Sequence, residues 1–239
     1  MRSRTPLLVL AAVALVAAVV VALSTVNPAT APTSSPTSPG ASGSASASTP
    51  ANVPPELADS VQQADGSWKT PDGRVFFAPD EFGSQPCTDG RWPVAEDTVD
   101  LAAAAGVPVD PVEWLSHHVH TYVGVFVNGE PEVVPSGIGI DNDGHRIAGL
   151  HTHDCSGTVH LEAQKAMQLT LGQFADSWGV KLDGQCFADL CAPDDPVTVQ
   201  VNGEPVADAR SVVVADCDVI NIVIGDPPAE FPPAAAEGC

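Results

Sequence analysis

The sequence predicts an α+β fold, mainly antiparallel β with one clear helix and a β-grasp-like C-terminal part. Three observations carry that expectation. Residues 118–127 alternate β-branched and other side chains and end at Asn128-Gly129, a strand running into a tight hairpin corner. Residues 146–163 read as two strands joined by a short turn at 154–157. Thr170-Leu171-Gly172-Gln173 matches a capping box, in which Thr170 and Gln173 satisfy each other's free amides at the start of a helix.

The remaining elements follow in chain order. Residues 66–82 carry two Asp-Gly turns and short apolar pieces, an irregular hairpin. Residues 98–105 suit one or two helical turns. Val119, Thr121, Val123, Val125 and Val127 occupy one face of the strand after them, and His118, His120, Tyr122, Gly124 and Phe126 the other. The chain returns over 132–134, continues apolar through 137–140 and turns at 141–144. Strands are expected over 146–153 and 158–163. In the capped helix, Leu171, Phe174 and Trp178 form one apolar stripe and Gly179 supplies the stop. The last strands are expected at 197–201, 211–214 and 219–224. Val-Asn-Gly-Glu-Pro occurs at 127–131 and again at 201–205, and the favoured Asn-Gly corner accounts for the echo.

The ends of the chain differ in composition. Arg2 and Arg4 precede an unbroken apolar run over residues 6–23, so residues 1–26 read as an export signal that anchors in the membrane, or a cleaved signal peptide. The arginines would keep the N-terminus in the cytoplasm and put the domain outside the cell membrane; a cleaved signal would leave it secreted. Residues 27–55 are mostly Pro, Ala, Ser and Thr, with no charge and Val53 as the one large apolar residue, and cannot bury a core, so they are expected to form a disordered linker. Residues 56–226 form the extracytoplasmic globular domain, and 227–239 a loose Pro/Ala-rich tail.

Beyond the apolar run, 30 acidic residues face seven basic ones, a net of −23. A surface of that sign excludes nucleic acid as partner, because phosphate recognition needs a basic face. The six cysteines, an even number in an exported chain, predict disulfides. Fifteen pairings are possible; Cys186 with Cys191, Cys87 with Cys155 and Cys217 with Cys239 are the expected ones. The last would tie down the tail.

Five of the seven histidines carry the chemistry. His118 and His120 form H-V-H, His151 and His153 form H-T-H-D, and His160 follows on the next strand. In a strand, residues i and i+2 share a face, so each H-x-H pair presents two imidazoles side by side. Converging imidazoles bind zinc, copper or iron through bonds of about 2 Å. Methionine is nearly absent, which argues against thioether Cu(I) ligation and leaves a copper or zinc ion as cofactor. Asp154 and Glu162 are candidates to hydrogen-bond the rings and orient them, or to ligate instead. His145 lies in a turn and His117 points away from His118, so both read as structural.

The H-x-H strand running into V-F-V-N-G and P-x-G-I-G-I, the H-T-H-D-x-x-G-x-x-H-x-E hairpin and the T-L-G-Q-F helix resemble a group of exported bacterial proteins of uncharacterised activity. The likeness covers the middle third of the chain and implies an extracytoplasmic fold with a histidine metal site. In that pattern a cysteine stands shortly before H-T-H-D. This chain has Arg146 and Ala148 there and carries Cys155 instead. Cupins also use H-x-H, but they place a glutamate shortly after it, where this chain has Gly124 and Val125. An anchored metal-binding protein is therefore the leading expectation, with a metal-dependent enzyme or an interaction module whose histidines are incidental as alternatives.

Overall fold

A computed structural model describes residues 52–87 and 90–239. Residues 1–26 and nearly all of the linker lie outside the described residues. Among the described residues, no helix is long and apolar enough to cross a membrane.

The domain begins earlier than composition suggests. Val53 is buried with Trp68, Phe76, Val112 and Trp114 in a small satellite core. Strands β1 (Val61–Gln62), β2 (Trp68–Lys69) and β3 (Val75–Phe77) form an antiparallel set beside that core. Gly73 turns the chain between β2 and β3 with a positive φ of 93°. Helix α1 (Thr98–Ala104) follows, then β4 (Val109–Asp110) and β5 (Glu113–Trp114); β5 joins the edge of the first sheet by pairing with β3.

The long strand β6 (His117–Val127) organises the rest. Asn128 and Gly129, both at positive φ, turn it into β7 (Glu130–Glu132). The sequence reads 146–153 as one strand; it is two, β9 (Arg146–Ala148) and β10 (Leu150–His151), with β8 (Ile140–Asp141) before them. Gly149 is the break. Its amide donates to Pro108 O and its carbonyl accepts from Glu162 N. The chain there leaves the sheet of β4 and β8 and joins β11 (Thr158–Ala163). A Cβ on Gly149 would lie 3.0 Å from Glu162 O, so the crossing requires the bare glycine.

Helix α2 (Leu171–Trp178) has the capping box, and Gly179 ends it at φ 85°. Its stripe of Leu171, Phe174 and Trp178 is buried in the main core. The short hairpin of β12 (Cys186–Phe187) and β13 (Leu190–Cys191) is closed by the Cys186–Cys191 disulfide. Strands β14 (Val197–Val201), β15 (Glu204–Val206) and β16 (Val219–Ile224) complete the large sheet. Residues 211–214 do not form the strand expected of them. A 3-10 turn covers Ala209–Ser211, and Val213 makes only an isolated bridge to Thr170.

β16 lies parallel to β6 and antiparallel to β14, so the order across this part of the sheet is β7-β6-β16-β14-β15. Two Asn-Gly hairpins thus flank a central parallel pair, with α2 between them in sequence. This is a β-grasp arrangement, and it reaches back to β6 rather than keeping to the C-terminal strands. β16 is buried along most of its length, as its V-I-N-I-V-I run, apolar at every position but Asn221, suits a central strand with a parallel neighbour. The N-terminal half of β6 runs past the β-grasp sheet and pairs with β11 instead.

Both remaining expected disulfides form, Cys87–Cys155 and Cys217–Cys239. The tail is not loose. Phe231 packs edge-on against Phe126, Ala236 is buried, and Glu237 N donates to Thr158 Oγ1.

Candidate metal centre

Three adjacent strands carry the histidines, in the order β10-β11-β6. Register sets His151 opposite His160 and His160 opposite His120, one row across all three strands. Glu162 pairs with His118 in the neighbouring row. Because i and i+2 share a face in a strand, His118, His120, His160 and Glu162 project to the same side as His151; His153, two residues past the end of β10, joins them with its ring 4.7 Å from those of His151 and His160. Their donor atoms converge in two groups. In one, His151, His153, His160 and Glu162 offer atoms within 4.8 Å of one another; in the other, His118, His120 and His160 do. The structure thus brings together all five predicted ligands.

The outer nitrogens reveal the tautomers. His151 Nδ1 lies 2.9 Å from Ala148 O, His120 Nδ1 lies 2.7 Å from Glu237 O, and His153 Nδ1 meets Gly83 O. A carbonyl only accepts, so each of these Nδ1 atoms carries a proton, and in the neutral ring Nε2 is then the atom with the free lone pair. Those lone pairs face other rings. His151 Nε2 is 3.1 Å from His153 Nε2, and His120 Nε2 is 2.8 Å from His118 Nε2. His118 Nε2 is also 3.5 Å from His160 Nδ1. Nitrogens bound tetrahedrally to one zinc stand about 3.4 Å apart, as bonds of about 2.05 Å require.

Disulfides hold two of these carbonyl partners in place. Cys217 N donates to His120 O, and Cys217–Cys239 brings the tail carrying Glu237 over the His120 ring. On the other side, Gln85 N donates to His153 O, and Cys87–Cys155 closes the loop carrying Gly83.

Glu162 lies among the candidate donor atoms and not outside them. Its Oε1 lies 3.2 Å from His118 Nε2, 3.7 Å from His160 Nδ1 and 3.8 Å from His151 Nε2. Its Oε2 is buried without a hydrogen-bond partner. Asp154, the other carboxylate expected beside the rings, turns its Oδ1 to Ser156 N at 2.9 Å and holds the turn instead. Sequence reasoning missed Glu113, on β5, whose Oε1 is 3.9 Å from His153 Nε2. It missed the three carbonyls as well. No periodicity or motif marks Glu113; only the packing of β5 against β11 brings it near.

Burial dominates the electrostatics. It pushes His118 down to about 4, aided by the His120 and His160 rings, and His160 down to about 3, aided by His153 and His120. His151 is wholly enclosed and held well below its ordinary value by desolvation, then by the His153 and His160 rings. Burial raises the Glu162 carboxyl to about 7 against the pull of His153 and His120. It raises Glu113 to about 7 as well, with the Glu162 charge adding and His153 opposing. Neutral imidazoles with inward lone pairs are the form that metals bind.

The two remaining histidines are structural. His117 Nε2 bonds Met167 O at 3.2 Å, and the His145 ring stacks on Phe82 with centroids 4.9 Å apart.

Comparison with family models, curated proteins and solved structures finds no match to this chain. Histidine and carboxylate groups that can hold a metal ion are present, and their geometry carries the functional reading.

Proposed function

We propose that this chain is an exported, membrane-anchored metal-binding protein whose histidine face captures or delivers copper or zinc outside the membrane. One observation carries the reading: the Nε2 atoms of His151 and His153 face each other across 3.1 Å while each Nδ1 lies against a backbone carbonyl. In neutral rings two such lone pairs repel, and a shared metal ion turns repulsion into two bonds. Desolvation at His151 disfavours a proton in that role. Imidazole and carboxylate donors suit Zn(II) or Cu(II). The three disulfides agree with an oxidising compartment, and the Arg2, Arg4 and apolar-run pattern with export. The likeness to exported bacterial proteins supports the same placement.

Elemental mass spectrometry of the full chain, disulfides formed, tests the proposal. Stoichiometric zinc or copper in the wild type, reduced in His151→Ala, is the expected result. A wild type that retains neither metal after loading and desalting would overturn it.

A further inference from the structure

Resting on the metal-binding reading, we propose that the histidine face holds a pair of ions rather than one, His118 and His120 holding the first, His151 and His153 the second, with His160 and Glu162 between them.

Each H-x-H pair closes on itself. The Nε2 atoms of His118 and His120 are 2.8 Å apart, and those of His151 and His153 are 3.1 Å apart. There are thus two separate places where nitrogens crowd together, and each is a chelating pair. The first pair lies on β6; the second starts on β10 with His151 and ends just past it with His153, and β11 lies between the two strands. Among the described residues, no set of donor atoms lying within 4.8 Å of one another includes members of both pairs. The donor atoms divide accordingly into two groups that share His160.

The central strand supplies what a bridged pair needs. Glu162 Oε1 faces one member of each histidine pair, at 3.2 Å from His118 Nε2 and 3.8 Å from His151 Nε2. Its Oε2 is buried and takes no hydrogen bond. A carboxylate spanning two cations uses both oxygens, which gives the orphaned Oε2 a partner. Glu113, 3.9 Å from His153 Nε2, adds a second negative charge on the β10 side, offsetting part of the charge of two dications. Five imidazoles and two carboxylates also exceed the four ligands of one zinc.

Loading the full chain, disulfides formed, with Zn(II) and separately with Cu(II) tests this, with metal per chain read by elemental mass spectrometry after desalting. Two ions per chain are expected in the wild type, and one in each of His120→Gln and His153→Gln. Electron paramagnetic resonance gives a second reading that needs no variant. The fully copper-loaded wild type should show spin–spin coupling and fewer detectable spins than coppers. Each variant that folds, judged by near-ultraviolet circular dichroism, should show an isolated Cu(II) signal. One uncoupled ion per chain in the wild type would overturn the pair while leaving metal binding intact. No bound metal would overturn both.

Discussion

The two H-x-H pairs share a spacing and a face, yet they occupy different surroundings. His151 and His153 lie near the edge of the sheet, where β9 has just crossed over to become β10, and His151 is fully buried. His118 and His120 lie on the long β6, where the His118 side chain keeps 32% of its surface exposed. The His151 ring is locked by a carbonyl only three residues away, Ala148, whereas His120 is locked by Glu237, 117 residues along. The comparison teaches that strand spacing sets only which way an imidazole points. Its protonation, tautomer and access to solvent come from whichever segment packs over it. One pair reads as an interior site, the other as the mouth.

The largest effect should come from what the pairs share. His160→Ala removes a ring present in both donor groups. Affinity at both pairs should fall by more than the roughly 10- to 100-fold that loss of an outer orienting partner costs. Competition titration with a chromophoric chelator reads this; undiminished affinity would show that the pairs act without the central strand.

The disulfides come next and should separate the pairs. Replacing Cys217 and Cys239 by serine frees the tail and with it the Glu237 carbonyl over His120. Replacing Cys87 and Cys155 frees the loop carrying Gly83 over His153. Each double variant should weaken its own pair by about 10- to 100-fold and leave the other close to wild type. It should also lose about 2–4 kcal/mol of stability. Equal losses at both pairs would erase the distinction drawn between them.

Acid should then act on the metal-free protein in two regimes. His118, His151 and His160 have depressed values in the folded state, so below about pH 6.5 the unfolded chain takes up protons that the folded one refuses, and stability falls as pH falls. That loss runs down to about pH 4 for His118 and about pH 3 for His160. Glu113 and Glu162 act in the opposite sense. Raised to about 7, they bind protons in the folded state first, so they add stability as pH falls from about 7 towards the ordinary carboxyl value of 4.5. Denaturation midpoints should therefore decline gently between about pH 6.5 and 4.5 and more steeply below, where the glutamates no longer oppose the histidines and hydrogen-bonded aspartates such as Asp141 and Asp154, held below their ordinary value, act in the same sense as the histidines. A midpoint that rises on acidification below pH 4.5 would contradict the buried neutral rings.

The smallest effect is a control. Thr170→Ala removes the cap of α2, away from both pairs, and should cost about 1 kcal/mol. Metal content should not change. If it did, the losses above would report general destabilisation and not the pairs.

Much of this was legible in the sequence because it is local. The β6 alternation, both Asn-Gly corners, the capping box with its Gly179 stop, and the 158–163 strand all follow from neighbouring residues, and each forms where expected. The hairpin turn at 154–157 even set His160 facing His151. Where local pattern misled, long-range partners had overridden it. Residues 146–153 read as one strand until Gly149 exchanged sheets, and residues 211–214 carry strand-forming side chains but make no more than an isolated bridge, Val213 to Thr170. The tail's Pro and Ala content described its composition, not the aromatic contact and disulfide that dock it.

By itself, then, the sequence determined that two pairs of imidazoles would each project from one face of a strand, since the two-residue repeat of an extended chain depends on nothing farther away. Only the tertiary structure decided that β11 would lie between them, that Glu113 would approach from another sheet, and that carbonyls from Gly83 and Glu237 would fix which nitrogen is bare. Those contacts join residues tens of positions apart. Their geometry follows from how the whole chain closes around its core, and no local pattern records it.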